Sequence, residues 1–110
     1  MEFEINGITV ETDSEGFLRD LSLWSKELAV SIAAKEKLEL TENHWEVINY
    51  LRQSFADGGI APNVRLMQKA MAKEYGPEKG NSKYLYELFP YGPAKQGCRI
   101  AGLPKPTGCV

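Results

Sequence analysis

The chain of 110 residues reads as a mainly α protein: a compact helical bundle with a small N-terminal β-hairpin, a helix-turn-helix-like element and a mobile C-terminal arm. Three observations predict this. Phe3 and Ile5 alternate with Glu2 and Glu4 ahead of Asn6-Gly7, the strongest short hairpin signal. From Ser22 to about Ala101, apolar residues recur at helical spacing between capping, glycine and proline residues. After Gly102 the chain carries two prolines, a glycine and almost nothing to bury, so neither helix nor sheet can be built from it.

The elements follow in order. A hairpin within residues 2–11 is marginal alone and should pack on the helices. Asp13-Ser14-Glu15-Gly16 is a turn cluster. A first helix is predicted from about Ser22 to Lys37, with Trp24, Leu28 and Ile32 on one apolar stripe. Thr41 caps a second helix, about 42–56, on which Trp45, Ile48, Leu51 and Phe55 repeat. Gly58-Gly59 stops it. Pro62 suits the first turn of a third helix, with Val64, Met67, Ala70 and Met71 facing in and Gly76-Pro77 as its end. Asn81 caps a short helix carrying Tyr84, Leu85 and Leu88, which Pro90 terminates. Pro93 starts a last helix, about 93–101, containing Cys98, with Gly102 as its C′ residue. The chain is thus one domain, with a globular core over 1–101 and an arm over 102–110.

An apolar content of 43% and a charged content of 25% are ordinary for a globular domain. No apolar run approaches the roughly 20 residues that span a bilayer. The acidic start Met1-Glu2-Phe3-Glu4 is no signal peptide, so the cytoplasm is the expected location, where thiols are reduced. The net charge of −2 hides an asymmetry. Residues 1–60 hold five Lys/Arg against twelve Asp/Glu, and residues 61–110 hold eight against three. The basic half holds both cysteines, and its field can steer an anionic partner; a solvated Lys-rich helix face is the plainer account.

The cysteines carry the chemistry. Cys109 stands one residue from the chain end, where burial is hardest to arrange. From Ile100 the arm reaches up to roughly 30 Å when extended, and its prolines favour reach. Cys98 sits on a helix, with ten residues between it and Cys109, and by position neither cysteine reads as a core residue. The arm is long enough to fold back and bring the two thiols to disulfide distance. Thiolate is the reactive form, and Arg99 beside Cys98, with Lys105 on the arm, are expected to lower the thiol pKa values. The Val110 carboxylate opposes this at Cys109. Two cysteines and the distant His44 form no zinc pattern, and no Cys-x-x-Cys is present. A papain-like nucleophile needs a His nearby, whereas His44 is expected at the capped end of its helix or on the surface. Two incidental thiols are the plain alternative. The second and third helices also resemble a helix-turn-helix lined by Arg65, Lys69 and Lys73, so a DNA-binding regulator is a further reading, weakened by the net acidic chain.

The residues Gly80-Asn81-Ser82-Lys83-Tyr84-Leu85-Tyr86, Leu88-Phe89-Pro90, Gly92-Pro93-Ala94-Lys95 and Ile100-Ala101-Gly102-Leu103-Pro104-Lys105-Pro106, with the ending Cys109-Val110, resemble the DsrC/TusE family. The resemblance extends through Leu40-Thr41-Glu42 and His44-Trp45 to the N-terminal hairpin. It implies a sulfur carrier rather than a catalyst acting alone. Members of the TusE type, relays toward tRNA thiolation, keep the penultimate cysteine and lack the upstream one. With both present, this sequence is more similar to DsrC, the gamma subunit of dissimilatory sulfite reductase. By that resemblance Cys109 accepts sulfite-derived sulfur and Cys98 closes an intramolecular trisulfide. The implied partners are the reductase alpha and beta subunits and a membrane thiol-oxidising complex, with sulfurtransferase relay proteins as the alternative. The sirohaem and iron–sulfur clusters would belong to the reductase, and no cofactor to this chain. Gly97 stands where the family leads one to expect alanine, which should loosen the Cys98 helix slightly.

Overall fold

The computed structural model describes residues 2–5 and 7–106. Strands β1 (Glu2–Ile5) and β2 (Ile8–Glu11) pair antiparallel, with Ile5 opposite Ile8 and Glu2 opposite Glu11. That register leaves a two-residue loop, and its described member, Gly7, has φ +80°, as a tight hairpin turn requires. Asp13 organises the following turn: its Oδ1 accepts the backbone N–H groups of Glu15 and Phe17.

Among the described residues five α-helices follow: α1 (Lys26–Lys35), α2 (Glu42–Gly58), α3 (Val64–Tyr75), α4 (Ser82–Leu88) and α5 (Pro93–Ile100). The predicted class, mainly α with an N-terminal hairpin, is the observed one. The first helix is shorter than its apolar stripe suggested. Residues 21–23 form a separate 3₁₀ turn, Trp24 is extended, and Ser25 caps α1 by accepting Leu28 N–H at 3.1 Å. A serine oxygen that can satisfy an orphan helix donor sets the start more firmly than periodicity does. Likewise Pro62 precedes α3 instead of opening it, because Asn63 Oδ1 takes the Leu66 N–H at 3.0 Å.

The core is built from one face of each helix. Leu28, Ile32, Val47, Ile48, Leu51, Met67, Met71, Leu85 and Phe89 are fully buried or nearly so. Trp24, Trp45, Phe55, Val64 and Tyr84 pack on this cluster while keeping an edge exposed. Helix α5 is the hub. It touches α1, α2, α3 and α4, and of its eight residues only Lys95 and Arg99 reach solvent in part. No described helix is long and apolar enough to cross a membrane.

Candidate functional site

Cys98 faces inward on α5 and has no exposed surface. It is therefore a core residue, contrary to the expectation from its position near the chain end. Gly97 explains how α5 sits so deep. A Cβ there would stand 3.0 Å from Leu51 Cδ1 and 4.0 Å from Met67 Cε. The missing methyl lets α5 approach α2, so this glycine tightens packing where loosening had been expected.

Burial pushes the Cys98 thiol up to about 12. At pH 7 that leaves on the order of one thiol in 10⁵ as thiolate, the nucleophilic form. The expected lowering by Arg99 does not occur. The mostly buried Arg99 side chain is engaged elsewhere, donating to Glu36 Oε1 at 2.7 Å and lying near the Phe17 ring. Glu36 Oε1 also accepts from Gln96 Nε2 at 3.1 Å, and Gln96 Oε1 accepts the Tyr91 N–H at 3.0 Å. This network fixes α5 to the end of α1 and to the turn that precedes α5.

The C-terminal end of α5 is closed with unusual completeness. A helix end leaves its last carbonyls without intrahelical donors. Here each has found one. Ala101 N–H donates to Gly97 O, Gly102 N–H to Arg99 O, and Leu103 N–H to Cys98 O at 2.9 Å. The last two bonds make a Schellman motif, with Gly102 in the left-handed region at φ +72°. The remaining two carbonyls are served from elsewhere. Trp24 Nε1–H donates to Ile100 O at 2.9 Å, and Arg52 Nη1–H to Ala101 O at 2.7 Å. Arg52 lies over the Trp24 ring, its guanidinium carbon 3.8 Å from the centroid, a cation–π pair. The indole in turn covers Gly102, where any Cβ would overlap the Trp24 side chain.

The segment after Gly102 differs from its sequence reading over the part described. Leu103 is 2% exposed and Pro106 is buried. Lys105 Nζ pairs with Glu15 Oε2 at 3.0 Å, both side chains largely in solvent. The first residues of the arm thus pack along the globule. Cys109, and any approach it makes to Cys98, lie outside the described residues. Lys105 is engaged by Glu15, so the structure supports no effect of it on Cys98.

His44, expected at a capped end or on the surface, is at the cap and buried. Its Nδ1 accepts Thr41 N–H at 3.0 Å, and its Nε2–H donates to Leu88 O at 2.8 Å. Desolvation lowers its pKa, against the opposing effect of the Leu88 carbonyl. Arg65, Lys69 and Lys73 are exposed on α3.

Sequence reasoning placed Cys98 on the last helix and Gly102 just past its end. It missed Trp24 and Arg52 as the partners of their helix end. Trp24 read as one more apolar position of a helix, and Arg52 as one more charge. Neither has a local signal, because each reaches a carbonyl 76 or 49 residues away.

Residues 4–110 match the family described as DsrC like protein. A sulfurtransferase, TusE, of Salmonella paratyphi A is 52% identical over 94% of this chain and 95% of its own length. The solution structure of Allochromatium vinosum DsrC is 54% identical, covers all of both chains and superposes with a TM-score of 0.90. The oxidized gamma-subunit of the dissimilatory sulfite reductase from Archaeoglobus fulgidus is 48% identical over both full chains, with a TM-score of 0.88.

Proposed function

Because the chain belongs to the DsrC-like family, we propose that it carries sulfur on Cys109 as a co-substrate of dissimilatory sulfite reductase, with Cys98 as the second thiol. The observation that carries this reading is the presence of Cys98 at the root of the arm that bears Cys109. One thiol suffices to accept and pass on a persulfide; a trisulfide needs a second one. The electron count is consistent. Sulfite sulfur becomes the central atom of a trisulfide by gaining four electrons, two from the reductase and two from the thiols, with its oxygens leaving as water. Four further electrons, supplied by a disulfide-reducing membrane complex, release sulfide and restore both thiols; in the reverse flow a thiol-oxidising complex takes up those four electrons.

A second reading is supported by the 52% identity to the TusE sulfurtransferase. In it the chain relays single persulfides among sulfurtransferases toward tRNA thiolation, and Cys98 has no part. Intact-mass analysis separates the two. After turnover with sulfite and the reductase, wild type gains one sulfur and loses two thiol protons. Cys98→Ser gains sulfur without closing the bridge, and Cys109→Ser gains none. Sulfur found on Cys109→Ser would sink both readings. Loading from a persulfide donor but never from sulfite and reductase would favour the relay.

A further inference from the structure

The buried position of Cys98 raises a question that its proposed chemistry leaves open: how does a thiol with no exposed surface meet one on an arm? Cys98 lies in the last turn of α5, and its own carbonyl holds the Leu103 N–H. Leu103 is itself buried, so the arm's root and the cysteine form one packed unit. The carbonyls of Ile100 and Ala101, two and three residues further along, are held by side chains from elsewhere in the fold. Trp24 comes from the segment before α1 and Arg52 from α2, and they are stacked on each other. Gly102, the residue about which the chain turns out of the helix, is pinned under the same indole.

We propose that Trp24 and Arg52 are the positioning residues of the Cys98 site, a latch whose hydrogen bonds to Ile100 O and Ala101 O keep the last turn of α5 shut, so that Cys98 becomes reachable when they let go. Its functional meaning rests on the reading of Cys98 as the partner of Cys109. Shut, the latch keeps the Cys98 thiol protonated and covered, and sulfur uptake falls to Cys109 alone. Open, the turn frays at Gly102, Leu103 leaves the core and Cys98 gains water and thiolate character together. The latch acts through backbone carbonyls and touches neither sulfur.

Native-state alkylation tests this. In a Cys109→Ser background Cys98 is the single thiol, and its modification by iodoacetamide is followed by intact mass. Trp24→Phe keeps a ring over Gly102 but removes the Nε1 donor; Arg52→Gln removes the guanidinium. Each is expected to speed modification roughly ten-fold, the effect of losing one hydrogen bond of ordinary strength. Arg52→Lys, which retains a charged donor, should fall between wild type and Arg52→Gln. Val10→Ala, a cavity in the hairpin, lowers overall stability without removing a bond at the end of α5 and should leave the rate unchanged. Equal acceleration by Val10→Ala would show that Cys98 is reached only through global unfolding, and the latch falls. It also falls if neither Trp24→Phe nor Arg52→Gln accelerates modification.

No sulfur donor enters that experiment, so its outcome is independent of sulfur loading. The pairing of the thiols is read on the chain with both cysteines, treated with diamide. As the S–S bond forms, the reagent takes up the two electrons and two protons that the thiols lose. The latch variants should close the disulfide faster than wild type. Faster alkylation with no disulfide in any variant would overturn the pairing and leave the latch standing.

Discussion

Helices α2 and α5 both end on a glycine with φ near +70°, and the two ends are built differently. At the end of α2, Gly59 has φ +69°, and its N–H donates to Phe55 O at 2.7 Å. Nothing lies within 4 Å of where its Cβ would be, and the next residue, Ile60, is 60% exposed. At the end of α5, Gly102 has nearly the same φ, +72°. There the glycine is covered by Trp24 and the last carbonyls are taken by side chains from two other elements. Local chemistry alone closes the first end. The second is closed by the whole fold, and it is the one beside Cys98 and the arm.

Alanine at the two glycines should expose this difference most strongly. Gly59→Ala pays only the left-handed backbone cost, roughly 1–2 kcal/mol. Gly102→Ala adds to that the overpacking against the indole, about 1–3 kcal/mol more. The expected gap between the two, read from urea midpoints, is therefore about 1–3 kcal/mol, with Gly102→Ala the worse. Equal losses would mean that Trp24 swings aside freely and that the α5 end is no more constrained than the α2 end.

The same contrast marks what could be read from the residues in order. Both glycines announced their helix ends, and the caps Thr41 and Asn81 were visible, because each acts within about one turn of its own position. The start of α1 was placed three to four residues early because apolar spacing continued through Trp24, whereas Ser25 supplied the cap. Trp24 is apolar by composition and polar by use: its indole N–H serves a carbonyl on α5. The burial of Cys98 was missed for a related reason. Nearness to the chain end says little about burial when the intervening helix is the hub of the core. Leu103 stands just past a proper helix stop, yet the Schellman bond to Cys98 O turns it back onto the core. In each case the deciding partner is far away in sequence or depends on which face of a helix the fold covers.

Helix α2 sharpens the comparison, because its other end is clamped. His44 links Thr41 to the carbonyl of Leu88, so the N-terminal end of α2 is tied to the end of α4 as the end of α5 is tied to Trp24. His44→Ala leaves the Leu88 carbonyl without that donor and should cost about 1–3 kcal/mol. The clamp also responds to pH. The folded pKa of His44 is lowered from its model-compound value of 6.5, first by desolvation. The unfolded chain therefore takes up the proton first as pH falls, and stability should drop below about pH 6.5. Protonation also places a donor on Nδ1, which can then no longer accept the Thr41 N–H. Urea midpoints at pH 8 and pH 5 should converge between wild type and His44→Ala on acidification. A constant gap between them would show that the histidine titrates normally in the fold.

The smallest effect is expected where the arm meets the hairpin turn. Lys105 and Glu15 lie 3.0 Å apart, yet their side chains are 54% and 41% exposed. Water screens such a pair, and ordering two long side chains offsets most of the attraction. Lys105→Ala should therefore change stability by no more than about 0.5 kcal/mol, and raised salt should remove even that. Leu103→Ala, two residues earlier, deletes a buried side chain and should cost about 2–5 kcal/mol. If the chain is bound to the globule by its packed root, Cys98 alkylation in the Cys109→Ser background will follow Leu103→Ala and ignore Lys105→Ala. If instead Lys105→Ala accelerates alkylation as much as Leu103→Ala does, the surface pair holds the segment in place, and the end of α5 is not the hinge.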